Sequence, residues 1–449
     1  MDWTSLPYEF ASSDATPLFI MAANDYLQIS GDSAFIRKHW GAFEKAWEFE
    51  LSHDSDGDGI YENTAGSGWV ESWPPGMPHQ EIYLAALDQQ ASSAFANLAN
   101  ATGNSQLAEE AATRARHIAE QIEKEYFLPN ANFYAFSRNT DGSLDASPTI
   151  YPAVAAWDGT FNLSRSRGML NRWASNEFST DWGTRDLSPA VTFYDPISYH
   201  QGSVWPLFTG WVSLSEYRNG RTLSGYAHLM QNADLTWVQN LGAVTELLSG
   251  EFFRWMGRST SHQLWSSAMV FTPTVRGMFG LQWNAAENEL VVTPRLPAQW
   301  SEAKILNVPI GDRRVGIEIR RDGLMLSIRL TADGSKAIKL SSRAVATAVA
   351  NGEIRIPLPA VEVGVTHGLP EAGVITAQMK VIDQQESIHS LRLRLSAPAN
   401  SSQVLFVRLN SSKIRLQIDG AELSGDCSQL RLQFPSGAGY VEKVVTLSW

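Results

Sequence analysis

Between residues 16 and 283, apolar positions recur at the three-to-four spacing that places them along one side of a helix; after Leu281 they alternate with polar positions at every second residue. The first pattern predicts helices at Pro17 to Ile29, Ser33 to Leu51, Gln80 to Ala101, Ser105 to Tyr126 and Gly202 to Tyr217, with further ones at Arg221 to Val238 and His262 to Met278. Asp32 and Asn104 stand where an N-terminal cap is wanted, and Pro17 suits a first helical turn. Helices of this length with short back-connections imply stacked hairpins. The loops between them are longer and richer in Gly, Pro and Trp than connection alone requires.

The second pattern runs through Glu289-Leu-Val-Val-Thr-Pro, Gly316-Ile-Glu-Ile-Arg-Arg, Leu324-Met-Leu-Ser-Ile-Arg-Leu and Leu391-Arg-Leu-Arg-Leu. Turn signals recur at Arg321-Asp-Gly, Ala332-Asp-Gly and Asp419-Gly. Antiparallel strands folded as a β-sandwich are the expectation for residues 284–449, after a helical domain over residues 1–283. No repeat of fixed period and no low-complexity tract interrupts either part.

Composition narrows the function classes. With 449 residues, 44% hydrophobic and 18% charged, the chain can bury more than one ordinary core. It holds no run of eighteen apolar residues, and Met-Asp-Trp-Thr-Ser lacks the basic start of a signal peptide, so a membrane partner is not expected. Cys427, the single cysteine, rules out an internal disulfide and any cysteine cage for a metal. Residues 1–283 carry 16 basic and 31 acidic side chains, against 19 and 16 in residues 284–449. An acidic field of that size repels phosphate backbones, so nucleic acid is not an expected partner and a neutral substrate is. Of the 16 tryptophans, 14 precede residue 284, which directs the search for a site to the acidic part.

There, Gly66-Ser-Gly-Trp-Val-Glu-Ser-Trp-Pro sets Glu71 between Trp69 and Trp73. Indole faces stack on the C–H surfaces of a pyranose, and by excluding water they raise a neighbouring carboxyl's pKa, so that the acid keeps a proton to donate. Taken alone, the same segment also fits an ordinary loop carboxylate. A second carboxylate segment, Val244-Thr-Glu-Leu-Leu-Ser-Gly-Glu, offers Glu246 and Glu251. Glycoside hydrolysis with inversion needs one acid and one base about 6.5–9.5 Å apart, with a water between. Three more loops suit a polyol: Asp14 and Arg185 for charge-assisted hydrogen bonds, His200 for a neutral one, Trp205 for stacking. Each also has a plain structural reading, respectively a cap, an ion-pair partner, a cap and core.

Asp54-Ser-Asp-Gly-Asp-Gly places Asp54, Asp56 and Asp58 like the first half of a calcium loop, but the twelfth position is Ala65 where a bidentate Glu is required, which rejects an EF-hand; a looser calcium site and a plain Asp- and Gly-rich turn both remain open, and no metal is assigned. The chain has no His-Glu-x-x-His, no Gly-x-Ser-x-Gly, no phosphate loop and no dinucleotide fingerprint, and no organic cofactor is implied.

Taken in order, Ser13-Asp-Ala-Thr-Pro-Leu-Phe, Gly68-Trp-Val-Glu-Ser-Trp, His79-Gln-Glu-Ile-Tyr, Trp182-Gly-Thr-Arg-Asp-Leu-Ser, Tyr199-His-Gln-Gly-Ser-Val-Trp-Pro and Thr245-Glu-Leu-Leu-Ser-Gly resemble the motifs of the six-hairpin α/α-toroid glycosidases, specifically the bacterial amylo-α-1,6-glucosidase or glycogen-debranching group. The resemblance covers roughly residues 10 to 300. It implies a mainly α fold, an (α/α)6-type toroid followed by the C-terminal β-sandwich. The implied activity is inverting hydrolysis of α-glucosidic linkages, with Glu71 as general acid and Glu246 as general base.

Asp14, Gln80, Arg185, His200 and Trp205 carry over as substrate-binding residues, beside Trp69 and Trp73. Glu251 has no counterpart and is the reserve base. Many relatives have Asp at the acid position, and the longer Glu here implies a different pocket depth. Seven or eight predicted helices fall short of the twelve of a complete toroid, which implies that the first hairpins are missing, that apolar helix faces are exposed and that the chain self-associates. Trehalose, rhamnosides or mannosides are alternative substrates on the same fold, and an inactive carbohydrate-binding protein is the alternative from another class.

Overall fold

The computed structural model describes residues 12–63, 68–70, 72–157, 163–257, 259–285, 287–311, 313–333, 338–344, 347–349, 352–411 and 413–449. The chain divides into two compact units, Met1–Met169 with Asp186–Ser203, and Leu170–Arg185 with Val204–Trp449.

The first unit is built round the helix Ile82–Thr102, which is buried on nearly every side from Ile82 to Ala99. Gly103 ends it in the left-handed conformation at φ 88°, which favours glycine. Asn104 then caps the returning helix Ser105–Glu125 by accepting the Leu107 N–H. Helices Ala15–Ser30 and Trp40–Leu51 pack on the central one, and Trp40 and Trp47 both stack against its Phe95. Asp32 caps Ser33–Lys38 through the Phe35 N–H. The single helix expected at Ser33 to Leu51 is two, divided at His39. The outer side of Ala15–Ser30 leaves Phe19, Tyr26 and Ile29 exposed.

Two expected helix starts are extended instead, for the same reason. Gln80 and Glu81 pair with Arg138 and Ser137 in a small antiparallel sheet completed by Leu144–Asp145, so the helix begins only at Ile82. In the second unit Val204 exchanges hydrogen bonds with Leu248, and the helix expected from Gly202 begins at Pro206, whose fixed φ and missing N–H suit a first turn. Helices Pro206–Arg218 and Thr222–Leu235 form a hairpin. The last helix, Leu264–Thr272, widens into a π-type turn at Pro273–Met278, where proline cannot donate to the preceding turn.

The rest of the second unit is sheet. Leu281–Asn284, Glu289–Val292 and Lys339–Ser341 form three strands, the last pair parallel. A five-stranded antiparallel sheet runs in the order Thr347–Val349, Glu353–Pro357, Met325–Ala332, Arg313–Asp322, Glu302–Ile310. Two four-stranded antiparallel sheets follow, Val361–Gly364, Ser402–Leu409, Gln429–Gln433 and Glu422–Leu423 in one, Lys380–Ser387, Ser390–Pro398, Tyr440–Ser448 and Gln417–Asp419 in the other. The period-two pattern decides their faces: Leu405, Val407, Leu430 and Leu432 from the first, and Leu393, Leu395, Val445 and Leu447 from the second, lie in one apolar core. Tyr217, Leu223, Tyr226 and Leu229 of the helical hairpin belong to the same core, so packing continues where the sequence pattern changes period.

Candidate functional site

In the first unit the chain enters its first helix through Ser12, Ser13 and Asp14. The Asp14 carbonyl accepts the Leu18 N–H, as an N-terminal cap residue's does, but the side chain caps nothing. Its Oδ1 accepts the Ser12 hydroxyl at 2.5 Å and its Oδ2 the Tyr83 hydroxyl at 2.9 Å. Tyr61, also buried, donates to the Ser13 carbonyl at 3.2 Å. Tyr83 stands in the first turn of the central helix, where burial, then the Asp14 charge and hydrogen bond, push its phenol far above the ordinary range, so it remains a donor.

The Tyr83 ring meets Trp69 edge-on at 6.0 Å between centroids, Trp69 meets the buried His200 at 6.5 Å, and His200 meets Tyr199 at 4.7 Å. The fold thus gathers Asp14, Trp69 and His200, with Tyr83 joining the first two. A carboxylate with acceptor sites remaining, an imidazole and an indole side by side are the chemistry that a polyol with one apolar face requires.

The loop carrying Trp69 is fixed from beneath. Its N–H donates to Oε1 of the fully buried Glu81 at 3.0 Å, and a Cβ at Gly68 would lie 1.5 Å from that oxygen, so only glycine leaves the carboxylate its place. Beyond position 71, the Ser72 carbonyl accepts the Gln201 side-chain amide at 2.7 Å. Glu71 itself lies outside the described residues.

Trp73 and Gln80 are not in this group. Trp73 is buried against Phe136 and Phe193 and donates its indole N–H to Asp145 at 2.7 Å. Gln80 is buried in its short strand; its amide nitrogen donates to both Asp58 oxygens at 3.2 Å, and its oxygen accepts from Arg138 at 3.1 Å.

Four other candidates lie in the second unit, where single antiparallel bridges join Arg185 to Val204, Val204 to Leu248 and Leu248 to Trp255. The buried Arg185 guanidinium donates to the carbonyls of Gly250 at 2.6 Å, Asn176 at 2.8 Å and Glu177 at 3.2 Å, which ties down the loop bearing Glu246 and Glu251. Glu246 is nearly buried; its N–H donates to the Thr260 carbonyl at 2.9 Å and its Oε2 accepts the Thr260 N–H at 3.3 Å. Glu251 is exposed, its N–H held by the Ser249 hydroxyl. Trp205 is buried at the start of Pro206–Arg218. Asp181 accepts from the Thr376 hydroxyl at 2.6 Å, the Ala377 N–H at 2.7 Å and Lys380 at 2.7 Å. Burial alone would raise its carboxyl, but Lys380 and these hydrogen bonds hold it below the usual range.

The acidic loop is occupied largely by protein partners. Asp54, Asp56 and Asp58 place carboxylate oxygens within 4.8 Å of one another, and oxygens of Asp56 and Glu62 and a ring nitrogen of His79 lie equally close together. Asp54 accepts the Gly59 N–H and lies 3.7 Å from Arg114, while Asp58 pairs with Arg138. No helix among the described residues is long and apolar enough to cross a membrane.

Sequence reasoning missed Tyr83, Glu81 and Gln201. The available signal was His79-Gln-Glu-Ile-Tyr, which reads as a helix start because the strand pairing that extends Gln80 and Glu81 is remote in sequence.

No family model matches the chain, and no curated protein matches it in sequence. Among solved structures it is similar to a sialidase, at 13% identity and a TM-score of 0.61 over 77% of this chain and 33% of that one. It is also similar to a GH78 family rhamnosidase of Bacillus sp. GL1, at 17% identity and a TM-score of 0.55 over 74% of this chain and 33% of that one. Both are glycoside hydrolases, the likeness is one of fold, and the chain spans about a third of their length.

Proposed function

We propose that the protein is a glycoside hydrolase that inverts the anomeric centre of α-glucosidic substrates, of debranching or oligosaccharide type, with Glu71 as general acid and Glu246 as general base. The fold that goes with this proposal is an (α/α)6-type toroid over residues 1–283, followed by a β-sandwich over 284–449. The observation that carries the reading is the grouping of Asp14, Trp69 and His200 about Tyr83 in the first unit, since a carboxylate, an indole and an imidazole drawn from three distant segments form a sugar-binding set. The fold shared with two glycoside hydrolases supports it.

In this mechanism Glu71 protonates the departing glycosidic oxygen while Glu246 removes a proton from the attacking water on the opposite face of the sugar. Asp14 accepts hydroxyls of the bound sugar. Arg185 acts through the backbone, holding the loop that bears Glu246. Glu251, exposed in the same loop, is the reserve base.

A rhamnoside is the second reading, favoured by the likeness to a GH78 rhamnosidase. NMR of the products from α-glucosides, α-rhamnosides, α-mannosides and trehalose reads substrate and stereochemistry together, and retention of configuration would overturn the inverting assignment. Glu71→Gln is expected to slow glycosides with poor leaving groups by on the order of 10²–10⁴, and activated aryl glycosides far less, because only the former need a proton. Equal loss on both would remove Glu71 from the acid role. Sugar binding with no turnover on any member of the panel would replace the hydrolase with a binding protein.

A further inference from the structure

An ionised carboxylate presents about four lone-pair sites and no donor. At Asp14 the Ser12 hydroxyl takes one site on Oδ1 and the Tyr83 hydroxyl one on Oδ2, which leaves one on each oxygen and pins the carboxylate plane from both ends. The side chain is neither buried nor fully exposed. Two acceptors side by side in one plane match two hydroxyls on adjacent carbons, in the forked geometry by which a carboxylate also meets a guanidinium. Trp69, packed against the Tyr83 ring, adds an apolar neighbour for the C–H surface of the same sugar.

We infer that Tyr83 is a positioning residue: its hydroxyl sets the Asp14 carboxylate so that both oxygens accept from a vicinal diol of the sugar. The inference rests on the glycosidase reading above and deepens it by naming the feature of the sugar that is read. Packing sets where the hydroxyl sits, because the Tyr83 ring is 1% exposed and lies against Trp69. The backbone of the same segment is held separately, by Tyr61 on the Ser13 carbonyl, so losing the Tyr83 hydroxyl releases Oδ2 of Asp14, with Ser12 still on Oδ1, without freeing the chain that carries it. Glu81 likewise holds the Trp69 backbone independently. What the Tyr83 hydroxyl adds is the second anchor of the Asp14 carboxylate, at Oδ2.

Tyr83→Phe keeps the ring and deletes only the donor. On 4-nitrophenyl α-glucoside, α-rhamnoside and α-mannoside, the whole chain carrying this change is expected to show KM raised about tenfold on the sugar it hydrolyses, with kcat within about twofold, as for an interaction made equally in ground and transition states. Ser12→Ala should move KM the same way by less. The penalty should shrink for a deoxy-sugar inhibitor that lacks one hydroxyl of the diol, a readout that a merely structural tyrosine would not move. Unchanged KM in Tyr83→Phe beside raised KM in Asp14→Asn would overturn the positioning role and leave the glycosidase reading standing. Unchanged KM in both would remove Asp14 from the sugar site, and with it this inference. A wild-type chain that neither hydrolyses nor binds any of these sugars would overturn both readings.

Discussion

The two compact units use polar side chains in opposite ways. In the first, side-chain contacts run from Asp14 through Tyr83 and Trp69 to His200, and the Asp14 carboxylate, with one donor on each oxygen, keeps acceptor sites open. In the second, the Arg185 guanidinium grips three backbone carbonyls, and Asp181 is surrounded by the backbone N–H groups of Ala377 and Gln378 together with the side chains of Thr376 and Lys380. Residue type alone does not separate these uses, because Arg185 and Asp14 are equally good partners for a sugar hydroxyl on paper. What separates them is the number of internal partners already within hydrogen-bond distance. An arginine that saturates three carbonyls is a brace, whereas a carboxylate held by two hydroxyl donors is oriented and still open.

Replacing Arg185 with Met should therefore cost about 5 kcal/mol of stability, the largest effect expected here, since three carbonyls lose their donor at once. Asp14→Asn should change stability by less than about 1 kcal/mol, because the amide keeps one oxygen to accept a hydroxyl and the Ser12 donor is exposed, while weakening sugar binding more than tenfold. Urea melts alongside calorimetric titration would read both quantities. A stable Arg185→Met chain with lost sugar affinity would move Arg185 to the ligand and erase the contrast.

How much of this was legible depended on whether the cause was local. Asp32 and Asn104 cap helices three residues away, and the alternation of Leu391, Leu393 and Leu395 decides which side of a strand is buried, so a short window of sequence sufficed for both. The extended conformations of Gln80–Glu81 and Val204 depend on partners 19 to 58 residues off, and apolar periodicity cannot register them. Tyr83 was hidden for a related reason. Buried among Ile82, Leu84 and Leu87 it reads as core, and only the hydroxyl's arrival at Asp14 distinguishes it. The motif around Trp69 was readable as residue types, yet the need for Gly68 arises from Glu81, which approaches from the next element.

The polar interior of the second unit also predicts a pH dependence. His228 lies on Thr222–Leu235 in a small cavity with Asp181, Asp234, His367 and Lys380, and burial pushes its imidazole down to about 3, with repulsion from Lys380 and Arg221 adding to the shift. A histidine lowered in this way is protonated first in the unfolded chain. The stability that goes with its neutral form is complete above pH 6.5 and is lost as pH falls from there toward 3, by about 3–4 kcal/mol. His228→Leu should flatten that part of the stability profile measured by urea melts at stepped pH. An unchanged slope between pH 6.5 and 4 would mean that the ring is not held neutral.

The smallest effect sharpens the comparison inside the first unit, between two indoles of one motif. Trp69 touches Tyr83 and His200, while Trp73, four residues on, is closed in by Phe136 and Phe193 with its N–H on Asp145. Trp73→Phe removes that hydrogen bond and part of a buried ring, which should cost about 1–2 kcal/mol of stability. Sugar affinity should stay within about twofold once the protein is fully folded, because the lost atoms face protein. Trp69→Phe should show the reverse, a melt close to wild type and an affinity several-fold weaker, since a phenyl ring offers a sugar less stacking surface than an indole. Equal losses of affinity in the two variants would mean that both tryptophans face the ligand, and that the internal hydrogen bond to Asp145 is a poor guide to which indole reads the sugar.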